Sequence, residues 1–373
     1  MKDRVVVVHG EDKFAALASV LDQCGFDDAV RERAKELNVP LEKLRVAVKP
    51  NFMFMYSLND RSTFTDPELV LALIDRLRGL GCGDISIVEA RSTYGMYFEG
   101  RTVPNVAQYI GYKLDDPRYH VADLTEEMEP FDYGHRLGHH FAGRTWRDAQ
   151  FRVSFAKNKT HTWAFYTLCI KNTYGALPME NKLVEYHEKR EIEWPTIDAL
   201  RVFPCHFGLV DAWLSADGQF GIFADKTPHH TKAIIGGRNI LAVDWVGASK
   251  MGLDPMCSEF MKEAVAAFGK PDVEWVGNAS IYPNWRNVAK AMTEFWDIAE
   301  EHHLFTDTVL QTMDTMDEYF PAKPRPWFVS MLRPMFAWFR WLVFKTVRGR
   351  GGRVRTTRAA VHSPALPKSG ATT

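Results

Sequence analysis

Short apolar runs alternate with helical patterns along the N-terminal part of the chain, and this alternation restricts the fold more than any other feature. Residues 4–9, 44–48 and 85–89 read as strands that are apolar almost throughout. Residues 14–37 and 67–80, which lie between them, show the spacing of amphipathic helices. Strands that are apolar on both faces are typical of parallel sheets whose right-handed crossover helices cover both sides. The order predicts a βαβαβ unit.

The rest of the body repeats this arrangement less regularly. Residues 151–155, 208–214 and 233–235 are further strand candidates, and residues 242–251 form a predicted buried helix. The predicted fold class is α/β, with one or more mostly parallel sheets, helices on both faces and a C-terminal amphipathic basic helix.

The length of the chain bears on its domain organisation. It has 373 residues, too many for one small core. We expect an α/β body over residues 1–320, either undivided or made of two lobes at 1–150 and 151–320. An amphipathic basic helix over 321–350 and a disordered basic tail over 351–373 complete the predicted organisation.

Cationic side chains cluster inside an otherwise apolar and aromatic segment, residues 156–175. Its polar members are Lys157, Asn158, Lys159, His161, Lys171 and Asn172. Burying an ammonium group without a partner is strongly unfavourable, because the charge loses its hydration. The segment therefore predicts a cleft that receives an anion. We expect Lys159 and His161 on a loop that follows the strand at 151–155.

Polar residues also follow the strand at 44–48, where Lys49 and Asn51 stand. Ligands of parallel sheets bind beyond the carboxyl ends of the strands, which makes both residues candidates for substrate binding. The loop there is neither a GxGxxG nor a phosphate-binding P-loop. Only the position of this loop would therefore support the prediction of a nucleotide ligand.

Asp244 lies on the apolar side of the predicted helix at 242–251. A buried carboxylate needs a lysine, backbone amides or a metal ion as its partner. We expect Lys159 or Lys171 in that role if the elements converge.

These groups together suggest acid–base chemistry on an anion. Lys159, Lys171, His161 and Asp244 are the candidate catalytic residues: the lysines clamp a carboxylate or phosphate, and His161 carries a proton near neutral pH. Asn172 orients a substrate oxygen, and the other candidate substrate-binding residues are Lys49, Asn51, Thr160 and Asp211. Proton transfer beside a carbonyl, or redox chemistry, fits this set. The structural alternative pairs Lys159 and Lys171 with Asp211 and Asp244, with His161 capping a backbone carbonyl.

The cofactor is left open by the sequence. Asp211, Asp217 and His161 form a mixed nitrogen and oxygen set that a divalent metal could use. The five cysteines stand singly with no CxxC pair, so no disulfide framework and no iron–sulfur cluster is expected. A reducing cytoplasm is the predicted location.

Several short motifs occur in one order along the chain. They are Lys49-Pro50-Asn51, Asn158-Lys159-Thr160-His161, Ile170-Lys171-Asn172 with Gly175, Leu209-Val210-Asp211 with Asp217-Gly218, Gly236-Gly237 with Ala242-Val243-Asp244, and Met251-Gly252-Leu253-Asp254-Pro255. In this order the chain resembles the domain-of-unknown-function family 362 over residues 5–255. Many members of that family carry fused ferredoxin-type segments, which this chain lacks. It also departs from the family at Ala156-Lys157-Asn158 and at residues 216–221, which implies a more specialised pocket.

The C-terminal segment is basic and rich in aromatic residues. No acidic residue follows Glu318, and apolar residues recur at helical spacing over 327–347, interrupted by Arg333, Pro334 and Arg340. Charges at a bilayer centre are costly, so a helix lying in the membrane interface is favoured over one that spans. We expect membrane-surface binding through residues 327–358, at the inner face of the membrane. The alternatives are docking on the body or on a second subunit of a homo-oligomer, and nucleic acid is disfavoured.

Two functions of different classes follow. The first is an enzyme acting on a small anionic carboxylate or phosphate, metal-assisted or not, at a membrane periphery. The second is a non-catalytic or redox-accessory protein that binds an anion or a partner and is tethered by its C-terminal helix.

Overall fold

The computed structural model describes residues 2–218, 229–288 and 319–335, together with 294, 298 and 338. Its strands are β1 (Asp3–His9), β2 (Arg45–Pro50), β3 (Asp84–Glu89), β4 (His120–Asp123), β5 (Met128–Asp132), β6 (His139–Gly143), β7 (Phe151–His161), β8 (Phe165–Thr167), β9 (Phe207–Ala216), β10 (Ala233–Gly237) and β11 (Val273–Gly277). Its helices are α1 (Lys13–Gln23), α2 (Phe26–Glu36), α3 (Pro67–Leu80), α4 (Val103–Ile110), α5 (Arg144–Asp148), α6 (Cys169–Thr173), α7 (Glu193–Val202), α8 (Ile240–Lys250) and α9 (Glu259–Phe268).

One large sheet organises the described part of the chain. Its strand order is β11-β1-β10-β9-β7-β2-β3-β4, with β8 added beside β7, while β5 and β6 form a separate hairpin. The pairs β11–β1, β9–β7, β7–β2, β2–β3 and β3–β4 are parallel, and β10 and β8 pair antiparallel with their neighbours. The mostly parallel α/β sheet is thereby confirmed.

Helices cover both faces of this sheet, as predicted. Val46, Val48 and Leu209 face the side covered by α1 to α4. Ala47 and Val210, their neighbours in sequence, face the side covered by α5 to α9. Because successive side chains of a strand point to opposite faces, strands that are apolar throughout contribute to both cores.

Two predicted elements differ from the structure. The helical stretch 14–37 is two helices, because Gly25 adopts φ +63° between α1 and α2. The strand predicted at 151–155 continues to His161, so Lys159 and His161 lie on β7 itself and not on a loop after it. The extension pairs with β9 on one side and with β8 on the other, in the register Lys159–Thr167 and His161–Phe165.

The C-terminal segment is described only in part. Residues 327–335 are helical, whereas 336–350, apart from 338, and the whole of 351–373 lie outside the described residues. Strands from both 1–150 and 151–320 share the large sheet, and the division into two lobes stays a prediction. Every helix within the described ranges is too short or too polar to cross a bilayer.

Candidate functional site

Polar side chains from three elements meet where β2 and β7 end. Lys159 donates from Nζ to Asn51 Oδ1 and to the carbonyl oxygen of Thr63, both at 2.9 Å. Asn51 donates in turn from Nδ2 to Asn172 Oδ1 at 3.2 Å. The structure therefore brings together Lys49, Asn51, Lys159 and Asn172 at the carboxyl edge of the sheet.

Asn172 joins α6 to the neighbouring strands. Its Nδ2 donates to the carbonyl oxygen of Lys49 at 2.8 Å and to Ser154 Oγ at 3.1 Å. Its Oδ1 accepts from Lys49 Nζ at 3.4 Å. The donor and acceptor atoms of the Asn172 amide are therefore all engaged in hydrogen bonds within the protein, and these bonds hold α6 against β2 and β7.

Lys49 is fully buried and forms an ion pair with Glu89, the last residue of the strand predicted at 85–89. Its Nζ lies 2.5 Å from Glu89 Oε1, at the end of β3. Gly175 passes so close to this pair that a Cβ there would lie 2.6 Å from Lys49 Nζ and 2.7 Å from Glu89 Oε1. The glycine allows the backbone to seal the ion pair.

A second buried ion pair joins β7 to β9. Lys157 Nζ is 2.8 Å from Asp211 Oδ2, with both side chains shielded from solvent. The same carboxylate accepts from the backbone amides of Asp66 and Trp213 at 2.8 and 3.0 Å. Asp211 thus ties β9 to β7 and to the start of α3, where it is surrounded by donors of the protein itself.

Lys159 differs from these two lysines. It is 1% exposed, yet the two hydrogen bonds of its ammonium group go to neutral oxygens, and no ion pair with a described carboxylate forms. The ring of Phe54 lies 5.6 Å from Nζ. Burial, with the nearby charges of Lys171 and Lys157, lowers the pKa of Lys159 to about 7.

Lys171 and His161 lie near Lys159 and are half-buried. Lys171 Nζ lies 5.3 Å from the centroid of Tyr174 and 5.2 Å from that of Phe260. Burial, together with the charges of Lys171 and Lys159, lowers the pKa of His161 well below its usual range. The imidazole is therefore neutral at pH 7, which differs from the expectation that it exchanges a proton there.

The ring of His161 has a local structural role as well. Its Nδ1 accepts from the backbone amides of Trp163 and Ala164 at 3.2 and 3.3 Å, across the turn between β7 and β8. The alternative in which His161 caps a backbone carbonyl is therefore wrong, because the ring accepts hydrogen bonds from backbone amides instead. An accepting Nδ1 leaves the hydrogen on Nε2.

Asp244 does not pair with either lysine, and that expectation is wrong. Its Oδ1 accepts from the Cys169 amide at 2.7 Å and its Oδ2 from the Ile170 amide at 2.8 Å. These amides begin α6 and have no partner within the helix, so the carboxylate of α8 caps them. Burial raises the pKa of Asp244 to about 7. Backbone amides, which were among the partners considered, satisfy the group.

Thr160 and Asp217, the remaining candidate residues, bind partners outside this group. Thr160 donates to the carbonyl oxygen of Gly218 at 2.6 Å. Asp217 pairs with Arg286 at 2.9 Å and lies 3.5 Å from His229 Nδ1. Asp211, Asp217 and His161 therefore do not form one ligand set, and within the described ranges no group of three or more His, Cys, Asp or Glu side chains is arranged to hold a metal ion.

Sequence reasoning missed Lys182 and gave no role to Lys157 and Glu89. Glu89 is the last residue of β3 and follows its apolar residues. This position is the one sequence signal that could have identified it as a site residue. Lys182 is buried, donates to the carbonyl oxygen of Leu177 and lies 5.4 Å from the Tyr174 ring centroid. Burial lowers the pKa of Lys182 to about 7. Nothing in its local sequence distinguishes it from a surface lysine.

The members of this group differ in exposure. Lys49 and Lys159 are closed off from solvent, while Asn51, His161 and Lys171 are half-buried. A separate small cavity, lined mainly by apolar and aromatic side chains such as Tyr133, Trp146 and Phe203, contains none of the site residues. Asn51 is thus the partly exposed hydrogen-bond partner of the buried Lys159.

Fold and site define an α/β protein with buried lysines and amides at the carboxyl edge of a mostly parallel sheet. The family model for the domain of unknown function DUF362 matches residues 46–249, which include all the residues of the site. The chain belongs to this family.

Two further comparisons add little to this assignment. No curated protein matches the chain. Among solved structures, the lactate racemase apoprotein from Thermoanaerobacterium thermosaccharolyticum is similar, with 13% sequence identity and a TM-score of 0.44. The match covers 68% of this chain and 58% of that protein, so this chain spans somewhat over half of its length.

Proposed function

We propose that the protein is an enzyme that binds a small carboxylate or phosphate at Lys159 and moves a proton on a carbon beside a carbonyl. One observation supports this above the others. Lys49 and Lys157 have carboxylate partners at 2.5 and 2.8 Å, whereas the partners of Lys159 among the described residues are neutral oxygens. Such a buried ammonium gains strongly from an anion beside it.

In this proposal the Oδ1 atom of Asn51 marks where a substrate oxygen binds. Its Oδ1 accepts from Lys159, and a substrate oxygen would take over that hydrogen bond after Asn51 turns toward solvent. Asn51 is half-buried, and the proposed turn exposes its side chain further. The ion pair of Lys49 with Glu89 and the amide of Asn172 keep the floor of the site in place.

The protonated form of Lys159 attracts the anion, and the base of the proposed step is the neutral amine that Lys159 forms once Lys171 holds the anionic group. The pKa of Lys159, about 7 before the anion binds, keeps that neutral form accessible near neutral pH. In the proposed step, the amine takes a proton from the carbon next to the carbonyl, and the C–H electron pair forms an enolate. Lys171 and the Nε2–H of His161 stabilise the negative oxygen. Return of the proton from Lys159 completes the cycle without another reactant.

Binding tests the first half of this proposal. Calorimetric titration with oxalate, pyruvate and inorganic phosphate at pH 7, in two buffers of different ionisation enthalpy, measures affinity and proton uptake together. We expect uptake of a fraction of a proton, since the anion raises the pKa of Lys159. Lys159→Met should abolish the uptake, whereas Lys250→Met should retain it. Lys250 is also buried, but lies beside His9 at the end of β1.

Exchange tests the second half. Incubation of 2-oxo acids in D2O, followed by proton NMR, should show loss of the signal next to the carbonyl with the wild type and with Lys250→Met, but not with Lys159→Met. Binding with proton uptake but without exchange across a panel of 2-oxo and phosphorylated acids favours the second function, an anion-binding accessory protein. Absence of binding by all three probes overturns the site.

A further inference from the structure

An apolar helix face is turned outward near the C-terminal end of the described residues. Trp327, Met331, Met335 and Trp338 are 74%, 69%, 54% and 59% exposed. Spacings of four, four and three residues place them on one side of a helix, within roughly a quarter of its circumference. Large apolar side chains this exposed, in one row, are typical of a surface that contacts something else.

The opposite face of the same helix holds it against the body. Val329 is 1% exposed. The preceding residues are bound firmly: Lys323 donates from its backbone amide to the Tyr97 carbonyl oxygen at 2.9 Å, and Glu99 donates to that of Pro321 at 2.8 Å. Phe320 packs edge-on against Tyr109. The helix therefore packs on the body of the protein through one face, and its row of exposed apolar side chains faces away from the body.

Positive charge surrounds this row in the sequence. Residues 319–373 contain eleven lysines and arginines and no aspartate or glutamate. Lys323 is exposed and Arg333 is half-buried on the described part of the helix. A basic segment next to exposed tryptophan is the combination that binds an anionic lipid surface, where apolar side chains insert and cations contact the headgroups.

We propose that the row formed by Trp327, Met331, Met335 and Trp338 docks the protein on an anionic membrane surface. A second copy of the chain is a poorer occupant, because pairing two such helices brings two acid-free basic segments together. Nucleic acid is also a poorer occupant, since phosphate contacts leave the apolar row uncovered.

Vesicle sedimentation of the full chain tests this directly. We expect binding to phosphatidylcholine vesicles that contain phosphatidylserine, weak binding to phosphatidylcholine alone, and a decrease with added salt. Trp327→Ser and Met331→Ser should each weaken partition by about tenfold, since each removes one inserted apolar side chain. Phe268→Ser and Ile281→Ser, at exposed apolar positions elsewhere, should leave it unchanged.

Three outcomes overturn the proposal. Equal binding to both kinds of vesicle removes the role of charge. Unchanged binding by Trp327→Ser and Met331→Ser removes the role of the row. A dimer in light scattering that these two variants dissociate assigns the row to a second copy. Thermal unfolding of each variant shows whether it is folded, and anion binding at Lys159 should be unaffected in all of them.

Discussion

The carboxylate of Asp244 accepts the Cys169 amide at 2.7 Å and so connects α8 to the first turn of α6. α6 carries Lys171 and Asn172, two residues of the candidate site. The sequence predicts a lysine partner for Asp244, but in the structure this buried carboxylate caps a short helix. Its contribution to the site is one of position, because it fixes the backbone from which those side chains extend.

Asp244→Asn should destabilise the protein by about 1–3 kcal/mol, because an amide has only one acceptor oxygen for the two buried backbone amides. Urea denaturation measures this. Asp12→Asn is the matched control: Asp12 caps the exposed start of α1, where asparagine serves equally well. Equal effects of the two substitutions would contradict the buried cap.

Lys157→Met and Lys159→Met should differ sharply in their effect on stability. Removing Lys157 leaves Asp211 buried without its counter-charge, which costs about 3–5 kcal/mol. Removing Lys159 relieves a buried ammonium that has no described carboxylate partner, and we expect a change of about 1 kcal/mol or less in either direction. Similar losses in the two variants would show that the hydrogen bonds of Lys159 stabilise the fold as much as the Lys157–Asp211 ion pair does.

The free energy of unfolding should depend on pH through Lys159. Its folded-state pKa of about 7 lies below the ordinary lysine value, so the unfolded chain binds more protons between about pH 7 and pH 10. The stability due to this group is present at high pH and is lost as the pH falls through 7. Stability of the wild type relative to Lys159→Met should therefore rise by a few kcal/mol over that range. Lys182 has a similarly lowered pKa, but it is present in both the wild type and Lys159→Met, so its contribution cancels in the difference. A flat difference would show that Lys159 keeps its proton.

Gly175→Ala should cost about 2 kcal/mol or more, because the new methyl group would overlap the Lys49–Glu89 ion pair. Gly79→Ala is the control. Gly79 lies in α3, and apart from its chain neighbours and the adjacent backbone of the helix, no described atom lies within 4 Å of the position of a Cβ there. Alanine should stabilise that helix by about 0.5–1 kcal/mol. Thermal and urea unfolding of both variants check the contrast. Tolerance of alanine at residue 175 would mean that the backbone moves away from the ion pair.

Much of the fold could be predicted because it depends on local patterns. The apolar runs of β1, β2 and β3 and the helix that begins at Pro67 follow from periodicity and capping, and the structure has them where they were expected. The carboxyl edge of a parallel sheet then places Lys49, Asn51 and Lys159 near one another. The extension of β7 was missed because its residues are polar, and only pairing with β8 and β9 keeps them in a strand.

The sequence by itself determined the alternation of strands and helices, the edge at which polar residues collect, and the supply of buried cations near that edge. Tertiary structure alone decided which cation meets which partner: Glu89 with Lys49, Asp211 with Lys157, and Asn51 with Lys159. The reason is physical. An ion pair is selected by distances of a few ångströms between residues far apart in the chain, and residue type and spacing along the chain do not fix those distances.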